Sequence, residues 1–140
     1  MKILILIFVW SLASCGKKDT ESLDFDSSYS VYGDNINGRV YLAHGFYGQG
    51  SDYLTAPSLR GLFDAAIEKD FQVVLFSYPH MREATYSNNG QDYQDKYKDF
   101  LSWMFEDVDT KEGVASENVF IGVSLGGLHS FMATALFPDY

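Results

Sequence analysis

Three short runs of apolar residues, each bounded by turn formers, set the rhythm of this chain. They are Val40-Tyr41-Leu42-Ala43 between Gly38 and Gly45, Phe71-Gln72-Val73-Val74-Leu75-Phe76 between Asp70 and Pro79, and Val119-Phe120-Ile121-Gly122-Val123 directly before Ser124. Near-continuous apolar runs of this length suit strands covered on both faces, as in a parallel sheet. Between the runs the period changes. Leu59, Leu62, Phe63, Ala66 and Ile67 fall at i, i+3, i+4, i+7 and i+8, one stripe of a helix that Ser58 is placed to cap. Tyr93, Tyr97, Phe100, Leu101, Met104 and Phe105 repeat the pattern, with Asp92, Asp95, Lys96, Lys98 and Asp99 on the other faces. A further helical segment follows Ser124. Strand and helix in alternation predict an α/β domain: a parallel, doubly wound sheet with right-handed crossovers, in three layers.

The N-terminus reads differently. After Met1-Lys2 the chain is apolar from Ile3 to Ala13, too short for a helix that crosses a bilayer, which needs roughly 20 residues. The run closes on Leu12-Ala13-Ser14-Cys15-Gly16, which resembles the lipobox of bacterial lipoprotein signal peptides, where small residues precede a cysteine that becomes the lipidated first residue. That resemblance implies an exported protein, held at the bacterial cell envelope by lipid on Cys15. An ordinary leader or a buried N-terminal strand is the other reading of the same run. The organisation expected is a signal peptide over 1–14, a polar tether over 15–22 and a folded domain over 23–140. In the domain's first stretch Leu23, Phe25, Tyr29 and Val31 alternate with polar residues, a weak strand or hairpin ahead of turns at Gly33-Asp34-Asn35 and Asn37-Gly38.

A length of 140 residues, 46% of them hydrophobic and 16% aromatic, is enough for one domain with a moderate core. The net charge of −9 repels phosphates and argues against nucleic acid as a partner. With Cys15 as the one cysteine, no disulfide forms within the chain, and three scattered histidines offer no metal-ligand spacing. No cofactor is called for.

The chemistry concentrates where the third run meets its helix, at Gly122-Val123-Ser124-Leu125-Gly126-Gly127. A serine on a sharp strand-to-helix turn stands clear of the sheet, and small residues two before and two after it, here Gly122 and Gly126, let the backbone pack tightly enough to make that turn. The backbone N–H of Leu125, at the start of the helix, then faces the oxyanion formed when Ser124 attacks a carbonyl. A second element, His44-Gly45-Phe46-Tyr47-Gly48, follows the first apolar run. An HGF-type turn after a strand, two further strand–helix units and a GxSxGG elbow together resemble the α/β-hydrolase fold, in its esterase and lipase branch. The resemblance covers about Gly38 to Pro138, the N-terminal half of a typical member. It implies Ser124 as nucleophile, with the amides of Phe46 and Leu125 as oxyanion donors and His44, Gly45 and Gly127 as supporting residues.

The resemblance further implies the order serine, acid, histidine along the chain. After Ser124 come only His129 and Asp139, neither at a suitable place, and His80 follows the second strand, where a pocket-rim role fits better than that of base. The acid and the histidine are therefore expected downstream of Tyr140. On this reading the sequence is the N-terminal portion of a longer hydrolase, and the strand ending at Val123 would be left as an open apolar edge. The expected activity is hydrolysis of a carboxylic ester, on a small molecule or a polymer side chain, through an acyl-enzyme. Tyr78, Tyr86 and Tyr93 near the pocket mouth hint at an aromatic or sugar-bearing ester, although plain packing is the commoner use of such residues. The rival is an inactive surface lipoprotein that keeps the fold and binds a ligand or partner.

Overall fold

The apolar runs become neighbours in one sheet. The computed structural model describes residues 5–7, 29–45, 48–78 and 90–140, the backbone alone at 5–7, 90–93 and 96. In chain order the elements are β1 (Ile5–Ile7), β2 (Tyr29–Tyr32), β3 (Arg39–Ala43), α1 (Asp52–Thr55), α2 (Pro57–Glu68), β4 (Gln72–Phe76), α3 (Gly90–Glu112), β5 (Asn118–Val123) and α4 (Leu125–Leu136). The sheet has the order β1-β5-β3-β4-β2. β3 pairs in parallel with both β4 and β5, and β1 in parallel with β5. The class is α/β, as the alternation of periods requires.

The expectation of an all-parallel sheet is corrected at one edge. β2 runs antiparallel to β4, with Tyr29 opposite Phe76 and Tyr32 opposite Val73, so the sheet is mixed. The chain leaves β2 through Gly33, whose φ of +82° suits glycine, and an Asx turn in which Asn35 Oδ1 accepts the Asn37 amide at 2.9 Å. It re-enters at β3, two places in, on the far side of β4. At the other edge, Ile5–Ile7 lies beside Ile121, Gly122 and Val123. Part of the N-terminal apolar run thus pairs with the outer side of β5 over those three residues, as the reading of that run as a strand expects; removal of residues 1–14 as a leader would uncover it. Cys15, its lipobox and the tether fall outside the described residues.

β3 and β4 bury both faces, because helices pack on each. One cluster joins Tyr41, Val74, Phe76 and Phe120 to Phe100, Leu101, Met104 and Phe105 of α3 and Ala133 of α4. The opposite cluster joins Val40, Leu42, Val73, Leu75 and Val123 to Tyr53 of α1 and Phe63 and Ala66 of α2. The period-2 alternation along β3 thus feeds two cores at once. The α2 stripe is corrected at two positions. Ser58 does not cap the helix: Ala56 takes that place and Pro57 opens the first turn, its fixed φ pre-set for a helix whose first amides need no partner. Ile67, at the end of the stripe, is exposed.

The register fixes where function can sit. Ala43 lies opposite Phe76 on one side and opposite Gly122 on the other, so β3, β4 and β5 end level with one another. From β3 the chain crosses to β4 on one side, and from β4 it returns to β5 on the other side of β3. The order of strands therefore reverses between β3 and β5. Loops leaving two such strands diverge to opposite faces and open a crevice at their carboxyl ends, the usual ligand site of open α/β sheets. The loops that leave β3 and β5 are His44-Gly45 and Ser124.

Candidate functional site

Ser124 stands at the junction of β5 and α4 with φ 56° and ψ −120°. A non-glycine residue at positive φ is strained by roughly 1–3 kcal/mol unless its surroundings dictate it. Here they do. A Cβ built on Gly122 would lie 1.9 Å from the Gly126 carbonyl oxygen, and one on Gly126 would lie 2.0 Å from the oxygen of Ala43 and 2.6 Å from that of His44. The first turn of α4 is thus pressed against the ends of β5 and β3 with no room for side chains, and the chain can turn only through Ser124.

The consequence is an available hydroxyl. Serine at a helix N-cap normally spends its oxygen on an amide of the first turn. Ser124 occupies that position without making such a bond, and it is exposed. Its carbonyl oxygen accepts the Gly127 amide at 2.9 Å. The Leu125 amide, one residue after the nucleophile position, begins the helix, where no preceding turn supplies an acceptor and the dipole favours negative charge.

Gly45 lies against this turn. A Cβ there would be 3.3 Å from the Val123 carbonyl oxygen and 3.5 Å from Ser124 Cβ. The loop beyond it is braced: Gly48 donates its amide to the Gly45 oxygen at 3.0 Å, Gln49 donates to Asp52 Oδ2 at 2.9 Å, and Gly50 donates to Ser77 Oγ at 2.8 Å. Phe46, the other expected oxyanion donor, lies outside the described residues, as do His80 and Tyr86. The Tyr93 side chain does too.

Behind the loop sits a stack of rings. His44 is buried, and its Nδ1 donates to the Gly45 carbonyl at 2.7 Å. A carbonyl only accepts, so Nδ1 carries the proton and Nε2 presents a lone pair, buried and with no partner among the described residues. Burial drives the His44 pKa down to about 4, against the opposing pull of the Gly45 bond and the Asp52 carboxylate. His129, on α4, is fully buried, and burial together with the nearby His44 lowers it to about 3. A general base works best with a pKa near the operating pH. Both histidines are buried and neutral at neutral pH.

Tyr78 binds this group together. Of the two readings of this tyrosine, pocket mouth or packing, the structure shows packing: it is 5% exposed, and its hydroxyl donates to the His44 carbonyl. Its ring centroid lies 4.1 Å from that of His44 and 4.1 Å from that of His129. Nothing in the sequence distinguished it from Tyr86 or Tyr93, because its role depends on β3 and β4 ending level. Asp139 is exposed, in the turn after α4.

Comparison with known proteins returned no match: no family model, no curated protein and no solved structure matches this chain.

Proposed function

We propose that this protein is a serine hydrolase of α/β-hydrolase type that cleaves carboxylic esters through an acyl-enzyme on Ser124. The observation that carries the reading is the conformation of Ser124. It is exposed at positive φ between two glycines that tolerate no Cβ, at the point where the strand order reverses. A binding protein has no use for that strain. In the proposed reaction Ser124 Oγ attacks the ester carbonyl carbon while a histidine takes its proton. The oxyanion is met by the amides of Leu125 and Phe46. The histidine then gives the proton to the departing alcohol, and water, activated in the same way, releases the acid. The histidine and its acid are assigned to sequence beyond residue 140, and no cofactor takes part. The strand order, with an antiparallel edge strand followed by parallel strands, supports the doubly wound hydrolase architecture. The substrate is an ester of a small molecule or of a polymer side chain, reached from the bacterial cell envelope by a protein anchored through lipid on Cys15.

The second reading, an inactive surface lipoprotein that binds a ligand, is favoured by one observation: both described histidines are buried, with pKa values driven well below the range that suits a general base. A fluorophosphonate probe applied to the protein in its native membrane separates the two. Covalent labelling at Ser124 requires an activated hydroxyl and supports the hydrolase; labelling nowhere on the chain supports the binding protein.

A further inference from the structure

Gly45 carries no side chain to hold it, yet it lies beside Ser124, where a shift of about 1 Å in a positioned group costs as much as 100-fold in rate. Its freedom has to be removed by its neighbours. The carbonyl of His44 and the N–H of Gly45 belong to one planar peptide unit, so fixing the oxygen fixes the plane. That oxygen is lodged between two groups. On one side is the Cα of Gly126, where an added Cβ would come within 2.6 Å of it, and it also accepts the hydroxyl of Tyr78. The tyrosine ring is held in turn by His44, by His129 from the second turn of α4, and by Tyr97 of α3 at 5.9 Å.

We propose that Tyr78 is a positioning residue: its hydroxyl locks the His44–Gly45 peptide plane against the helix that carries Ser124, and so sets Gly45 relative to the nucleophile. The inference rests on the hydrolase reading and adds to it a residue that touches neither substrate nor Ser124. A phenylalanine at 78 would keep the ring and lose the bond to the His44 oxygen.

Tyr53 is the matching control. Its hydroxyl donates to the adjacent carbonyl, that of Ala43, at 2.9 Å, and it is equally buried. Ala43, however, is already held in the ladder between β4 and β5. Both Tyr78→Phe and Tyr53→Phe therefore leave one buried carbonyl short of a donor and lower the melting temperature by similar amounts; only the first frees the loop.

The test is the rate at which a fluorophosphonate labels Ser124 in the full-length protein, resolved into the maximal rate and the probe concentration giving half of it. Tyr78→Phe is expected to lower the maximal rate by roughly tenfold or more with the half-saturating concentration within about twofold, while Tyr53→Phe labels at the parent's rate. Should Tyr78→Phe fail to fold, 4-aminophenylalanine and 4-methylphenylalanine at position 78 fill the same space and differ in the N–H donor; the first should label near the parental rate and the second slowly. If the parent labels and Tyr78→Phe labels equally fast, or both tyrosine variants slow alike, the positioning role is overturned and the hydrolase reading stands. If the parent does not label at Ser124, both fall together.

Discussion

At the residue scale, Ser124 is kept in a conformation that glycine would adopt more easily. Ser124→Gly is expected to remove labelling completely while leaving the melting temperature equal or higher, by up to about 1 kcal/mol of stability, because it relieves the positive φ. A loss of stability on that change would mean the turn is not strained. Gly126→Ala has the opposite sign. Its Cβ would meet the Ala43 oxygen at 2.0 Å, and backbone on both sides gives little, so a loss of about 3 kcal/mol in chemical denaturation is expected, with labelling lost as the turn moves. The tight turn was legible in the sequence, since small residues two before and two after a serine that follows an apolar run leave room for the backbone to close on itself. Tyr78 was not, because its partners come from three other elements and no local pattern marks it.

At the scale of elements, two buried polar arrangements tie the layers together. Arg39 opens β3 and is fully buried, its Nε donating to Gln72 Oε1 at 2.6 Å, one guanidinium nitrogen to Asp109 Oδ1 at 2.6 Å and the other to the Gly113 carbonyl at 2.7 Å. It thereby joins β3, β4 and the end of α3. Removing one partner of a buried pair leaves the other unpaired, so Arg39→Ala should cost about 3–5 kcal/mol in denaturant melts, and Asp109→Asn less because Asp109 reaches solvent. In the sequence Arg39 is a lone cation beside an apolar run, with nothing local to mark it as buried. Its burial follows from the register that sets it opposite Gln72, which a single strand does not disclose. β3, β4, β5 and the helices α2, α3 and α4 were legible from period, whereas α1 and the place of β1 in the sheet were not; the antiparallel β2 was legible only as a weak strand, since alternation tells which face is buried and not which way the strand runs.

The second arrangement is the stack of His44, Tyr78 and His129, and it makes stability depend on pH. Both histidines have folded-state pKa values below the ordinary 6.5, at about 4 and about 3. The unfolded chain therefore binds more protons than the folded one below pH 6.5. Their contribution is complete above that pH and is lost as pH falls from 6.5 toward 4, by about 3 kcal/mol for His44. Denaturant midpoints taken across that window should fall, and His129→Phe, which fills the place with an apolar ring, should flatten part of the decline. A midpoint constant from pH 7 to pH 4.5 would contradict the burial of both rings.

At the scale of the whole molecule, the chain joins an apolar, cysteine-terminated N-terminal run to an acidic α/β domain with its candidate nucleophile at a reversal of strand order. No helix among the described residues is long and apolar enough to cross a membrane, so on the proposed reading Cys15 is what keeps the protein at the envelope. Cys15→Ser should move the protein from the membrane fraction to the soluble one in a fractionation blot; retention in the membrane would place the anchor elsewhere. The central claim is that Ser124 is an activated nucleophile. The measurement that tests it most directly is peptide mass spectrometry of the native protein after exposure to a fluorophosphonate. The account predicts one phosphonyl adduct, on Ser124, that disappears in Ser124→Ala; an unmodified Ser124 peptide from folded, full-length protein would contradict it.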